Sequence, residues 1–127
     1  MKKYLISIIL TFISLSAIAQ VCEYQSYEYA EKNNITKVWS QWQPSNVRIT
    51  IDFYNDIIII YSPTIQKYKV VEKLPNPYDS TGVQEKYKTI NQYGYYAYIR
   101  FRIAYDGTSQ IYVDFADGNI VYNVIRL

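Results

Sequence analysis

Three aspartates, Asp106, Asp114 and Asp117, are the residues whose type and spacing come nearest to chemistry. Carboxylates grouped in this way could share acid and base work or hold a divalent cation. Asp106 and Asp117 each precede a glycine, however, as turn residues do. The run Asp114-Phe115-Ala116-Asp117-Gly118-Asn119 lacks the alternating oxygen ligands and closing Glu of a calcium loop. The chain of 127 residues has no histidine and one cysteine. It therefore lacks the commonest general base and metal ligand, and it can form neither an intrachain disulfide framework nor a cysteine-ligated zinc site. With no triad and no Gly-rich phosphate loop, no catalytic residue, metal or cofactor is expected.

Binding chemistry is better represented. The chain carries 16 tyrosines, and Tyr93, Tyr95, Tyr96 and Tyr98 fall around one hairpin. Tyrosine has a flat apolar body and a polar tip, which suits sugars and protein interfaces alike. Tyr96 and Tyr98 alternate with Ala97 and Ile99 and share a row with Arg100 and Arg102, which makes that row the candidate binding face. Trp39 and Trp42 stand three apart in Val38-Trp39-Ser40-Gln41-Trp42, so a regular strand would point them to opposite sides. One is expected in the core and the other at a barrel end or surface groove. A second candidate is the stretch from Leu74 to Gly82, whose Leu74, Pro75, Asn76, Pro77 and Tyr78 could form a restrained, protease-inhibiting loop.

The first residues read as a leader. Met1-Lys2-Lys3 is cationic, residues 4–18 are nearly all apolar, and Ala17-Ile18-Ala19 offers small residues for cleavage after Ala19. The apolar run is shorter than the roughly 20 residues that span a bilayer. A periplasmic or extracellular location is the expectation. Cys22 follows Gln20-Val21, which does not fit lipidation, and it is expected to lie in a lightly ordered N-terminal segment. Cleavage would remove Lys2 and Lys3 from 13 basic residues and leave 11 against 11 acidic ones. A neutral chain gives no electrostatic reason to expect nucleic acid.

The elements that must position these residues are strands. Val47, Ile49, Ile51 and Phe53 alternate with polar residues, and Ile111, Val113 and Phe115 do the same. Tyr95, Ala97, Ile99, Phe101 and Ile103 form a third apolar row, while the unbroken run of residues 57–61 suits a strand covered on both faces. Asp106-Gly107 and Asp117-Gly118 are the strongest hairpin turns. Residues 25–34 show no clear period and could form a helical turn. The organisation expected is a leader over 1–19, an N-terminal segment over 20–34 and one β-domain over 35–127. The fold class is all-β: an antiparallel meander of about seven or eight strands closing into a small calycin-like barrel or half-barrel, with a β-sandwich as the alternative. Such a narrow barrel would be filled by its own side chains. Arg48, Asp52, Lys67 and Lys69 on the outward rows exclude a membrane-inserted barrel.

Trp39-Ser40-Gln41-Trp42, Ile58-Ile59-Ile60-Tyr61-Ser62, Gln66-Lys67-Tyr68, Gln110-Ile111-Tyr112-Val113-Asp114 and Val121-Tyr122-Asn123-Val124 together resemble a recurring type of short secreted protein of Bacteroidota and their phages. The Ala-Ile-Ala-Gln junction resembles the leaders of that phylum. The resemblance implies secretion and a β-rich fold but no activity, so it assigns no site residue. Members often carry paired cysteines, which this chain lacks. Asp79-Ser80-Thr81 resembles the O-glycosylation motif of the same phylum, with Ser80 as the modified hydroxyl, and Asn34-Ile35-Thr36 matches an N-glycosylation acceptor. The resulting expectation is a secreted, non-catalytic module, monomeric or weakly dimeric, that binds a protein or glycan. A protease inhibitor is the alternative.

Overall fold

The computed structural model describes residues 21–75, the backbone of 78–79, and residues 82–127. Residues 1–20, Asn76, Pro77, Ser80 and Thr81 lie outside the described residues. The strands are β1 (Val21–Asn33), β2 (Gln43–Pro44), β3 (Arg48–Asp52), β4 (Ile57–Ile60), β5 (Gln66–Leu74), β6 (Tyr78–Asp79), β7 (Gly82–Asn91), β8 (Tyr96–Ala104), β9 (Ser109–Phe115) and β10 (Gly118–Arg126). Apart from the two-residue β2 and β6, they form an antiparallel meander in the order β1-β3-β4-β5-β7-β8-β9-β10, and β10 pairs back onto β1. The result is a closed eight-stranded barrel. The sandwich alternative is set aside, because one continuous ladder runs around the whole circumference.

Alternation drives the interior. Ile49 and Ile51 of β3, Ile58 and Ile60 of β4, Ile99 of β8, and Ile111 and Val113 of β9 are fully buried. Each such side chain contributes about 1.5–3 kcal/mol of burial relative to exposure. Tyr68, Tyr122 and Val124 pack among them, with Val47, Phe53, Phe101 and Phe115 closing the ends. The run in β4 is covered on one face only: Ile57 and Ile59 point outward and are half-buried beside Lys69 and Lys67. In the β8 row only the middle residues face the core. Tyr95 precedes the strand, and Ile103 lies at the barrel rim; both are exposed.

β1 replaces the helical turn considered over residues 25–34. Its pairing shifts between Ser26 and Glu28, a bulge that breaks the period of two. Before the bulge β1 pairs with β3, through Val21–Gln25 against Arg48–Asp52. Beyond it, Glu28 and Tyr29 pair with β2, and Lys32 bridges to Trp39, so residues 38–44 lie as a strap along β1. Ser26 fixes the change of partner: its hydroxyl accepts the Val47 amide at 2.8 Å and bonds Ser45 Oγ at 2.6 Å. Residues 21–33 thus belong to the same sheet as the rest, and Cys22 sits buried in the core rather than in a loose terminus.

The two Asp-Gly turns differ. Gly107 takes the positive φ of +93° that such a turn requires, whereas Gly118 does not. A Cβ on Gly118 would lie 2.7 Å from the Lys32 carbonyl oxygen, so glycine there permits β10 to approach β1. Within the stretch 74–82, the described Leu74, Tyr78, Asp79 and Gly82 are strand residues. Leu74 pairs with Lys86 at the end of β5, and β6 pairs Tyr78 with Val83.

Burial raises the phenol pKa values of Tyr68, Tyr87 and Tyr122, with the Glu85 carboxylate adding to the effect on Tyr87. A raised folded pKa favours the neutral phenol. This stabilisation is complete below the unfolded tyrosine value near 10 and fades as pH rises from there toward the folded values. In an alkaline titration, part of the phenolate absorbance is therefore expected to stay absent until the far-UV sheet signal collapses. Full ionisation with the sheet intact would contradict this packing.

Candidate functional site

Among the described residues, isoleucine and tyrosine side chains fill the barrel interior. Even its polar groups are taken up: Tyr68 Oη donates to Gln66 Oε1 at 2.5 Å, and Gln66 Nε2 donates to Ser62 Oγ at 2.9 Å. The concave spaces are open clefts at the barrel ends. One, of about 720 Å³, lies between the strap and the β9–β10 turn, with Glu31, Trp39, Phe115, Asp117 and Ile120 in its walls. Among the described residues no three His, Cys, Asp or Glu side chains converge.

Among the described residues, a dense arrangement of charged and aromatic side chains lies instead on the outer wall. Antiparallel pairing sets Lys88 opposite Tyr98 and Lys86 opposite Arg100 across β7 and β8. It continues with Tyr98 opposite Asp114, Arg100 opposite Tyr112, and Arg102 opposite Gln110 across β8 and β9. Partners in register point to the same face, so these residues form a grid. Its cations sit over its rings. Lys88 Nζ is 4.8 Å from the Tyr96 centroid, Lys86 Nζ is 5.0 Å from Tyr98, and the Arg100 guanidinium is 4.0 Å from Tyr112.

Arg100 is held twice. Its Nε donates to Asp114 Oδ2 at 2.6 Å and its Nη2 to Asp114 Oδ1 at 3.1 Å, a two-pronged pair with both side chains largely covered. Asn119 Nδ2 donates to the same carboxylate. Arg100 and Asn119 thereby tie the Asp114 side chain into the sheet. Tyr112 Oη donates to Gln110 Oε1 at 3.2 Å, Gln110 Nε2 to Asn123 Oδ1 at 2.9 Å, and Asn123 Nδ2 to Glu28 Oε1 at 3.0 Å. This chain crosses β9, β10 and β1 and fixes the outer wall.

The expected site residues fall into three groups. Tyr96 (58% exposed), Tyr98 (37%), Arg100 and Arg102 do share one outward row. Trp39 joins it from the strap, edge-on to Tyr112 at 6.2 Å with Lys32 Nζ 5.3 Å from its own ring. Trp42 is 45% exposed and Trp39 39%, so neither is a core residue. Residues 38–42 are not a regular strand, and their alternation does not aim a side chain inward. Tyr93 lies apart in the β7–β8 turn, exposed. Of the inhibitor residues, Leu74 is part of β5, Pro75 is exposed, and Tyr78 has a paired backbone.

Sequence reasoning missed Lys86, Lys88, Tyr112 and Asp114 as members of the grid. Lys86 and Lys88 alternate with Tyr87 and Thr89, and Tyr112 with Ile111 and Val113, so parity marked them as outward. Register, which parity does not supply, brings them together. Asp106, one of the three carboxylates, accepts the Thr108 amide in its turn, and that hydrogen bond holds its pKa below the ordinary carboxylate value.

Comparison with protein-family models, curated proteins and solved structures finds no match.

Asp114→Asn is expected to cost about 2 kcal/mol in urea unfolding, the scale of hydrogen bonds to a charged group. Arg100→Lys should behave similarly, because an ammonium cannot hold both carboxylate oxygens while lying flat on Tyr112. A loss below about 0.5 kcal/mol for both would place the pair with ordinary surface ion pairs.

Proposed function

We propose that this protein is a small, secreted, non-catalytic binding module that engages its partner through the outer wall of β7, β8 and β9. The observation that carries the reading is the row of Tyr96, Tyr98, Arg100 and Tyr112, joined by Lys86 and Lys88 in ring contacts. Aromatic and arginine side chains of this kind are the ones that dominate binding energy at interfaces. Their neighbours on the sheet lock them in place, which lowers the entropy lost when a partner docks. The filled interior favours a surface role over a reaction in an enclosed pocket. Charged side chains along the outer rows favour an aqueous setting, in keeping with the leader-like first residues.

A second reading, protease inhibition through residues 74–82, draws on one feature. β5 continues past β4, which pairs only with Gln66–Lys69, so the outer edge of β5 from Val71 to Leu74 has no β4 partner. An extended peptide could add to such an edge.

The two readings separate in one experiment that combines a glycan array with a protease panel. Under the leading reading, Tyr96→Ala with Tyr98→Ala lowers affinity for an array ligand by about tenfold or more, and replacement of residues 74–78 by Gly-Ser leaves it unchanged. Protease inhibition that disappears with the 74–78 replacement and survives the tyrosine changes would overturn the leading reading.

A further inference from the structure

We infer that the partner of this outer wall is a linear polysaccharide bearing carboxylate or sulfate groups; the inference rests on the binding reading above. The outer wall formed by β5, β7, β8 and β9 is predominantly basic. On the outward rows of β5, β7, β8 and β9 stand Lys67, Lys69, Lys86, Lys88, Arg100 and Arg102, with only Glu72 and Asp114 among them. Asp114 is engaged by Arg100, which leaves Glu72 beside Lys88 as the other carboxylate of the face. Glu23, Glu28, Glu31 and Asp52 belong to β1 and β3, Glu85 of β7 pairs with Lys73 at 3.8 Å, and Asp56 and Asp117 lie in turns. Asp106, also in a turn, lies close enough to Arg102 to sense its charge at that end of the face.

The cations are also periodic. Lys69 lies opposite Ile90, and Glu72 opposite Lys88, with Leu74 opposite Lys86 and Lys86 opposite Arg100. The amide of Lys67 bonds the side chain of Gln92, which sets it one level beyond Lys69. Successive levels along the wall therefore carry Lys67, Lys69, Lys88, Lys86 with Arg100, and then Arg102. Alternate residues of a strand are about 7 Å apart, so the row presents a positive charge at each such step. A repeating polyanion matches a repeating row, whereas a folded acidic protein offers irregular spacing.

The ring contacts decide between polyanions. The lysine ammoniums lie over Tyr96 and Tyr98, and Tyr112 is covered by Arg100 on one side and met by Trp39 on another. One face of each ring is thus taken by a cation, which the ring holds in position. Nucleic acid, whose bases bind single-strand sites by stacking on free rings, is the poorer fit. Carboxylates and sulfates need the cations and phenol hydroxyls that remain at the surface.

Binding of the purified protein to heparin, alginate, uncharged dextran and a single-stranded oligothymidylate, each at low and high salt, tests the inference. Heparin and alginate are expected to bind with an affinity that falls steeply with salt, and dextran is not. Lys86→Gln with Lys88→Gln should weaken binding by about tenfold or more, with thermal unfolding confirming an intact barrel, whereas Arg48→Gln on β3 should have no effect. Dextran binding as well as heparin, oligothymidylate binding more tightly than both polyanions, or equal losses from Arg48→Gln would overturn it. If the acidic probes fail while a neutral array ligand still binds through Tyr96 and Tyr98, this inference falls and the binding-module reading stands. If no ligand binds through those tyrosines, both fall.

Discussion

Pairing of β10 with β1 is the constraint on which the rest of the structure depends. A meander of eight strands that ends in two open edges invites pairing with other chains, and closure removes both edges at once. Here the register runs from Tyr24 opposite Arg126 to Asn33 opposite Gly118. It requires Gly118, whose missing side chain gives way to the Lys32 carbonyl. It also requires the bulge at Ser26, which turns β1 from β3 toward the strap. Once closed, the barrel sets Ala30 beside Val121 and Val121 beside Tyr112. Trp39 can then reach Tyr112 across the seam.

The same residue type does two different jobs on the two sides of this wall. Inside, Tyr68 and Tyr122 act as large apolar bodies whose hydroxyls need a buried partner, supplied around Gln66. Outside, Tyr96, Tyr98 and Tyr112 act as platforms under cations. A strand alternates between these environments at every step, so the richness in tyrosine reflects a barrel that uses aromatic rings on both faces. Rigidity follows on the outer side: the hydrogen-bond chain from Tyr112 through Gln110 and Asn123 to Glu28 ties three strands together where the cations are displayed.

Much of this was legible in the sequence, and the parts that were not share a cause. Regular alternation revealed β3, β8 and β9, because each keeps a period of two through its core-facing residues. β1 was hidden by its bulge: Cys22 and Ser26 face inward, then Tyr29 does so three residues later, and the period is lost. The core position expected for one of Trp39 and Trp42 failed because a strap held by one bridge and a two-residue strand obeys no alternation. Within the site, Tyr96, Tyr98, Arg100 and Arg102 were visible as one row on one strand. Lys86, Lys88, Tyr112 and Asp114 were not, because register between strands sets their proximity and no local pattern encodes it.

Amide hydrogen exchange along β1 tests the closure most directly. The account predicts that Glu28–Asn33 of β1 and their partners in β10 exchange as slowly as Ile99 and Val113 in the middle of the sheet, opening only with the whole barrel. Rapid exchange across Glu28–Asn33, with β3 to β9 still protected, would contradict it: the sheet would then be open, and the outer wall would lose the seam that joins Trp39 to Tyr112.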